Sequence, residues 1–128
     1  MQGLLETLSE QRGLFSSDSL DPILRHHYQN IVTGNFKRND DGSISTVFTR
    51  QVDLNGVPTL IPSVYDGKIL SEEAAIERAL NSKIAWPTAA THQELRDYDI
   101  RLHENMFPIN ANEAALILES FTPKGLLE

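Results

Sequence analysis

The stretch SISTVFTRQVDLNGVPTLIPSVYDGKIL, residues 43–70, decides how this chain is read. From Ser43 to Val52 β-branched residues dominate, and Ile44, Thr46, Phe48 and Val52 fall on one face of an extended strand. Asn55-Gly56 follows, a dipeptide that accepts the positive φ angles of a type I′ hairpin turn. The segment Val57 to Val64 is therefore expected to return antiparallel. Pro58 and Pro62 stand four residues apart in it, so both withhold a ladder donor from the same side, which marks that side as an edge. Asp66-Gly67 makes a second turn into the short piece Lys68-Ile69-Leu70.

Helices flank this hairpin. Upstream, Asp21-Pro22 reads as N-cap and first helical residue, because proline lacks only an N–H that would be unpaired there. The helix it opens aligns Ile23, His27 and Ile31 and stops at Gly34. Downstream, Ser71 caps a helix with Glu72 and Glu73 at its positive end and a buried stripe of Ala75, Ile76, Ala79 and Leu80. After the break at Trp86-Pro87, Thr91 to Glu94 matches a capping box, with Thr88 as the alternative cap, ahead of a helix whose inner face is Leu95, Tyr98, Leu102 and Met106. Pro108 ends it, and a last short helix, Glu113 to Phe121 behind Asn112, precedes a Thr122-Pro123-Lys124-Gly125 exit. Helix, strands, helix, helix, without βαβ alternation, predicts an α+β fold: a small antiparallel sheet packed with two to three helices.

The chain has 128 residues, enough for one modest core. The expected division is an N-terminal arm over residues 1–20, a core domain over 21–106 and a C-terminal arm over 107–128, both arms helical. Met1 to Phe15 place Leu4, Leu5 and Leu8 on one side of a short helix that stops at Gly13. With Phe15 in the first arm and Leu116, Ile117 and Phe121 in the second, the arms carry more apolar surface than short peripheral helices can hide on so small a body. Against a partner each large side chain would contribute about 1.5–3 kcal/mol. Leu4, Leu5, Leu8, Phe15, Leu116, Ile117 and Phe121 are thus candidate partner-interface residues, and Trp86 joins them as an aromatic anchor.

Composition excludes several function classes. A net charge of −7 leaves little for counterion release on nucleic acid, and Lys37-Arg38 beside Phe36 is too small a patch to bind it. Without cysteine there are no disulfides, no thiolate catalysis and no thiolate metal sites. No apolar run approaches the roughly 18 residues needed to cross a bilayer, so no membrane contact is expected.

The polar clusters point to structure rather than chemistry. His92 and His103 share an azimuth on their helix but stand about 16 Å apart along it, too far to share an ion; His26-His27 point to different sides. Glu94, Asp97, Asp99 and Glu104 are interleaved with Arg96 and Arg101, as on a solvated helix face. Asn39-Asp40-Asp41-Gly42 lacks the ligand pattern of a calcium hand and reads as a turn. No nucleophile with a neighbouring base, phosphate-cradling loop or dinucleotide fingerprint is present. The expectation is no catalytic residue, no metal and no cofactor.

From Ile31 to Met106, about 60% of the chain, the sequence resembles a small domain recurrent in virion proteins of tailed bacteriophages. The matching segments are Thr33-Gly34-Asn35, Asp41-Gly42-Ser43-Ile44-Ser45-Thr46-Val47, Leu60-Ile61-Pro62-Ser63-Val64 with Asp66-Gly67-Lys68, Ser71-Glu72-Glu73-Ala74-Ala75-Ile76, and Arg101-Leu102-His103-Glu104, and their order and spacing carry the likeness. The link Ser82-Lys83-Ile84-Ala85-Trp86-Pro87 departs from the family, which tends to a glycine- and histidine-bearing link there. The domain occurs in internal, portal-associated and tail-associated proteins, sometimes beside a lytic transglycosylase. The resemblance implies a non-enzymatic, multicopy structural or accessory subunit packed on portal, head–tail connector (adaptor) or tail proteins, located in the virion and, during assembly, in the host cytoplasm. Two other readings stand beside it. One is a cell-wall-binding or lysis-assisting accessory of a peptidoglycan-degrading virion enzyme. Glu119-Ser120-Phe121-Thr122-Pro123 is similar to the transglycosylase Glu-Ser-x-Phe-x-Pro signature, but lacks one residue and is followed by too little chain to build a sugar groove, so an ordinary helix end is expected. The other is an early host-takeover protein that binds a bacterial protein, which suits a small acidic chain.

Overall fold

A computed structural model describes residues 20–106 and 109–121. The expected first helix with Leu4, Leu5 and Leu8, together with Phe15, the stop at Pro108 and the exit after Phe121, lie outside the described residues.

Helix α1, Pro22–Thr33, begins as its sequence requires: Asp21 Oδ1 accepts from the Ile23 N–H at 2.8 Å, and Pro22 occupies the first turn. Gly34, at φ +79°, closes it by donating to the Asn30 carbonyl. Its buried face is Ile23, Leu24, His27, Tyr28 and Asn30.

Three antiparallel two-stranded hairpins follow: β1 (Lys37–Arg38) with β2 (Ile44–Ser45), β3 (Arg50–Leu54) with β4 (Val57–Ile61), and β5 (Val64–Tyr65) with β6 (Lys68–Ile69). In the central one Leu54 pairs with Val57 and Arg50 with Ile61. The Asn55-Gly56 turn between them has φ +55° and +80°, the left-handed pair that the dipeptide was read to favour. Asp66-Gly67, at φ +54° and +77°, repeats it between β5 and β6.

The expected continuous strand from Ser43 to Val52 is broken. Phe48 sits at φ +42°, which separates β2 from β3, and both Ile44 and Phe48 are about half exposed while Thr46 and Val52 are buried. The return strand is broken as well, at Pro62-Ser63. The two interruptions meet: the Val47 carbonyl, next to Phe48, accepts from the N–H groups of Ser63 (2.7 Å) and Val64 (3.2 Å). The proline side of β4 has no donor at Pro58, yet it is covered: Leu60 N–H donates to the Pro87 carbonyl, Ala89 N–H donates to the Pro58 carbonyl, and Thr59 bridges Thr88.

Helix α2, Glu72–Ser82, is capped by Ser71 and ends at Lys83, φ +58°. Its buried contacts are Ala75 and Ala79; Leu80, expected inside, is 56% exposed. Ile76 packs half-buried against the core, so the buried stripe runs through Ala75, Ile76 and Ala79 and leaves Leu80 at its edge. Helix α3, His92–Glu104, is capped by Thr91 and lays Leu95 and Leu102, both fully buried, against β3 and β4.

Helix α4, Ala111–Ser120, starts two residues before its expected position. Asn110, not Asn112, is the N-cap, in a capping box with Glu113. It packs along α1 with Ala114 and Ile117 buried, so the described part of the expected C-terminal arm is a piece of the core. The resulting architecture is α+β: one apolar core framed by four helices and the three hairpins among the described residues. None of the described helices is long and apolar enough to cross a membrane.

Candidate functional site

The C-terminal halves of α1 and α3, residues 42–48 and Ile109 enclose a groove of about 620 Å³. The apolar walls come from Ile31, Ile44, Val47, Phe48, Met106 and Ile109; His27, Thr46 and His103 are the polar groups among them. These residues come from three separate parts of the chain, which the framework around Asn30 holds together. Asn30 Nδ2 donates to the carbonyls of Thr46 (2.8 Å) and Val64 (3.3 Å), tying α1 to both broken strands.

His27 is 5% exposed, with Nδ1 2.6 Å from Thr46 Oγ1 and Nε2 without a hydrogen-bond partner among the described residues. Burial pushes its pKa down to about 4, assisted by the charges of His103 and His26, so the imidazole is neutral at pH 7. His103 moves the other way: its Nδ1 lies 3.1 Å from Asp99 Oδ1, and this bond raises its pKa. One groove thus holds a buried neutral imidazole and a half-exposed, more basic one. His26, on the neighbouring face of α1, engages the Val64 carbonyl at 2.7 Å and lies edge-on to Tyr65; burial lowers its pKa.

At the other end of α1, Asp21 accepts from the Tyr98 hydroxyl. Burial raises the Asp21 pKa against the lowering effect of that bond, and burial and the facing carboxylate raise that of Tyr98. This pair fastens α3 to the start of α1. Beside it, Thr88, Glu94, Asp97 and Arg101 line a shallower depression of about 320 Å³.

The candidate interface residues separate by burial. Trp86 is 7% exposed and its Nε1–H donates to Ser82 Oγ, so it anchors the core rather than a surface. Ile117, at 6% exposed, is likewise a core residue held between α4 and α1. Phe121 packs half-buried against the core. Leu116 faces outward at 66% exposed and is the one described candidate whose side chain is open to a partner. Leu4, Leu5, Leu8 and Phe15 lie outside the described residues.

The polar clusters behave as paired surface groups. His92 Nε2 meets Asp53 at 3.0 Å, Arg78 meets Asp66 at 2.7 Å, and Asp99 also accepts from Thr49. Asp41 Oδ1 accepts from the Ser43 N–H and hydroxyl, which closes the expected turn and lowers the carboxyl pKa. Arg38 stacks over Phe36 within its own hairpin. Glu119 is exposed on the last turn of α4. Among the described residues, no three His, Cys, Asp or Glu side chains are grouped to hold a metal ion.

Sequence reasoning named His27 and His103 but did not bring them together. Positions 27, 46 and 103 are far apart in the sequence and become neighbours only in the folded chain. A phenylalanine carries no local signal for positive φ. Comparison of the chain with protein-family models, with curated proteins and with solved structures finds no match.

Proposed function

We propose that this protein is a non-enzymatic, multicopy structural or accessory subunit of a tailed-bacteriophage particle, packed against portal, adaptor or tail proteins. One observation carries the reading: three of the segments that resemble the virion domain, 33–35, 41–47 and 60–68, bond to one another. Val47 accepts from Ser63 and Val64, and Gly67 N–H donates to the Asn35 carbonyl. A shared order of short motifs is informative when those motifs build one framework, because each then constrains the others.

The mechanism is steric and cohesive. The hairpin-and-helix body is a rigid block, while Leu116, Leu80 and Ile100, each more than half exposed, and the apolar N-terminal residues supply adhesive surface for neighbouring subunits. Association is then driven by apolar burial, offset by the cost of ordering chain at the interface. Quantitative mass spectrometry of purified particles tests this directly: the protein should be present at a fixed stoichiometry in multiple copies. Deleting residues 1–15 should leave a folded body that fails to enter particles. Absence of the intact protein from purified particles, or normal incorporation of the truncated one, contradicts the proposal.

A further inference from the structure

We propose that β3 pairs with the β3 of a second copy of this chain, antiparallel and centred on Val52, so that two central hairpins join into one four-stranded sheet. This goes beyond the particle-assembly reading. It is tested on the free protein, so a monomer there leaves that reading standing.

The outer edge of β3 carries the inference. In an antiparallel ladder the N–H and C=O of one residue point to the same side, and successive residues alternate sides. Leu60 N–H donates to the Pro87 carbonyl and the Pro58 carbonyl accepts from Ala89 N–H, so positions 58 and 60 of β4 face away from β3. Positions 57, 59 and 61 therefore face their partners Leu54, Val52 and Arg50. Gln51 and Asp53 alternate with these and turn both of their backbone groups outward from the hairpin. Among the described residues none of those groups has a hydrogen-bond partner. Backbone groups left unpaired in this way are open to water or to another strand, because burying them dry is costly. The Asp53 side chain, 62% exposed, lies on the same open edge. The contrast falls within one sheet: residues 87–89 close the β4 edge, and no described residue closes that of β3.

A second copy is the strand that fits, and the register follows from the side chains. Centred on Val52, Gln51 of one protomer lies opposite the partner's Asp53, and Asp53 opposite the partner's Gln51. Each of these pairs exchanges two backbone hydrogen bonds, so every outward group of both copies is met. The side chains at 51 and 53 share a face. On it, Asp53 Oδ1 is held by His92 at 3.0 Å, while Asp53 Oδ2 and the Gln51 amide have no hydrogen-bond partner among the described residues. Across the seam the amide of one copy donates to the carboxylate of the other, twice by symmetry. A register centred on Asp53 would set two carboxylates face to face. One centred on Gln51 would set Asp53 against Thr49, which precedes the strand and is bonded to Asp99. A foreign strand would share the backbone bonds without the reciprocal amide–carboxylate pairs, and those pairs select a copy.

Sedimentation equilibrium and amide hydrogen exchange on the full chain test the pairing at about 0.15 M salt, where the repulsion between two acidic chains is screened beyond about 8 Å. A seam of a few hydrogen bonds falls short of the roughly ten of a standard interface, so a dissociation constant of about 0.1–1 mM is expected. The Gln51 and Asp53 amides should exchange fast in dilute protein and become protected as the dimer forms, while that of Val52 is protected throughout. Gln51→Glu, which opposes the partner's Asp53, should weaken the dimer about ten-fold, and Gln51→Lys should tighten it about ten-fold, since each change counts twice. Matching urea midpoints in dilute solution verify that the variants fold, and either one suffices for the comparison with wild type. A Gln51→Lys protein that folds and stays monomeric at about 1 mM overturns the pairing. So does a dimer whose Gln51 and Asp53 amides remain unprotected, or one that both variants shift in the same direction. Protection of those two amides at every concentration overturns it as well, because it puts another segment of the same chain on the edge.

Discussion

His27 Nδ1 and Thr46 Oγ1 lie 2.6 Å apart, a bond that joins α1 to the strand segment just before its break. The bond is buried, so the protonation state of one imidazole is coupled to the packing of the whole framework. Folded His27 has its pKa pushed down to about 4 from the ordinary 6.5, chiefly by lost hydration. The unfolded chain therefore binds the extra proton between those two values. Stability from this group is intact above about pH 6.5 and falls as pH drops toward 4, by about 3 kcal/mol at the limit. His26, also lowered, adds in the same sense. His103, raised by Asp99, acts oppositely: its contribution is full below its ordinary pKa and lost as pH rises through the folded value. Urea unfolding at pH 7 and pH 4.5 should show the larger His27 effect, and His27→Gln should flatten it. An unchanged pH dependence in that variant would show that other groups set the acid sensitivity.

Asn30 supports the same junction from one turn further along α1. Its amide donates to two carbonyls from two different strand segments, and Asn30 is only 7% exposed. Asn30→Ala strands the Thr46 carbonyl, leaves the Val64 carbonyl with its His26 partner and opens a gap, for a cost of about 1–3 kcal/mol in urea-unfolding free energy. Asn30→Asp should be worse, since a carboxylate would face two carbonyl oxygens. A loss below about 1 kcal/mol for Asn30→Ala would mean that water replaces the amide at no penalty.

The Tyr98–Asp21 pair makes a separable prediction at the opposite end of α1. Asp21 caps the helix through Oδ1 and receives the Tyr98 hydroxyl on Oδ2. Tyr98→Phe keeps the ring and removes the donor, leaving a buried carboxylate with one partner fewer. The expected cost is about 1–3 kcal/mol at pH 7. Because burial already raises the Asp21 pKa, losing the hydroxyl raises it further. The penalty should therefore shrink in acid, as Asp21 protonates, and comparing Tyr98→Phe with wild type at pH 7 and pH 4.5 measures that.

What was legible in the sequence was what short-range chemistry determines. Asp21-Pro22 and Gly34 bracket α1, Ser71 and Thr91 start the next two helices, and Asn55-Gly56 and Asp66-Gly67 make the two tight turns. Each depends on a capping side chain or a permissive backbone conformation whose partners lie within four residues. The breaks at Phe48 and Pro62-Ser63 were not legible, because they answer to a carbonyl at Val47 that serves partners 16 and 17 positions away. The exposure of Leu80 was not legible either: periodicity places Ala75, Ile76, Ala79 and Leu80 on one stripe, and only the tertiary packing shows that its Leu80 edge lies outside the core. The groove, assembled from residues 27, 46 and 103, is invisible until those breaks have formed.

The adjacent residues Leu116 and Ile117 carry the last prediction, since sequence reasoning assigned both to a partner interface and the fold divides them. Ile117 is 6% exposed and part of the core, while Leu116, about 100° further round α4, is 66% exposed. If α4 belongs to the core in solution, Ile117→Ala costs about 2–4 kcal/mol by leaving a cavity, while Leu116→Ala stays within about 0.5 kcal/mol of wild type. Urea unfolding distinguishes the two, and equal small effects would return α4 to the status of a loosely held arm. Leu116→Asp then separates folding from assembly. It preserves the body, because the side chain already points to water, but places a charge on the face offered to neighbouring subunits. Under the particle-assembly proposal this variant should unfold at the wild-type urea concentration and yet be depleted from purified particles. Wild-type levels in particles would remove Leu116 from the contact surface and leave the N-terminal leucines as the residues that hold the subunit in place.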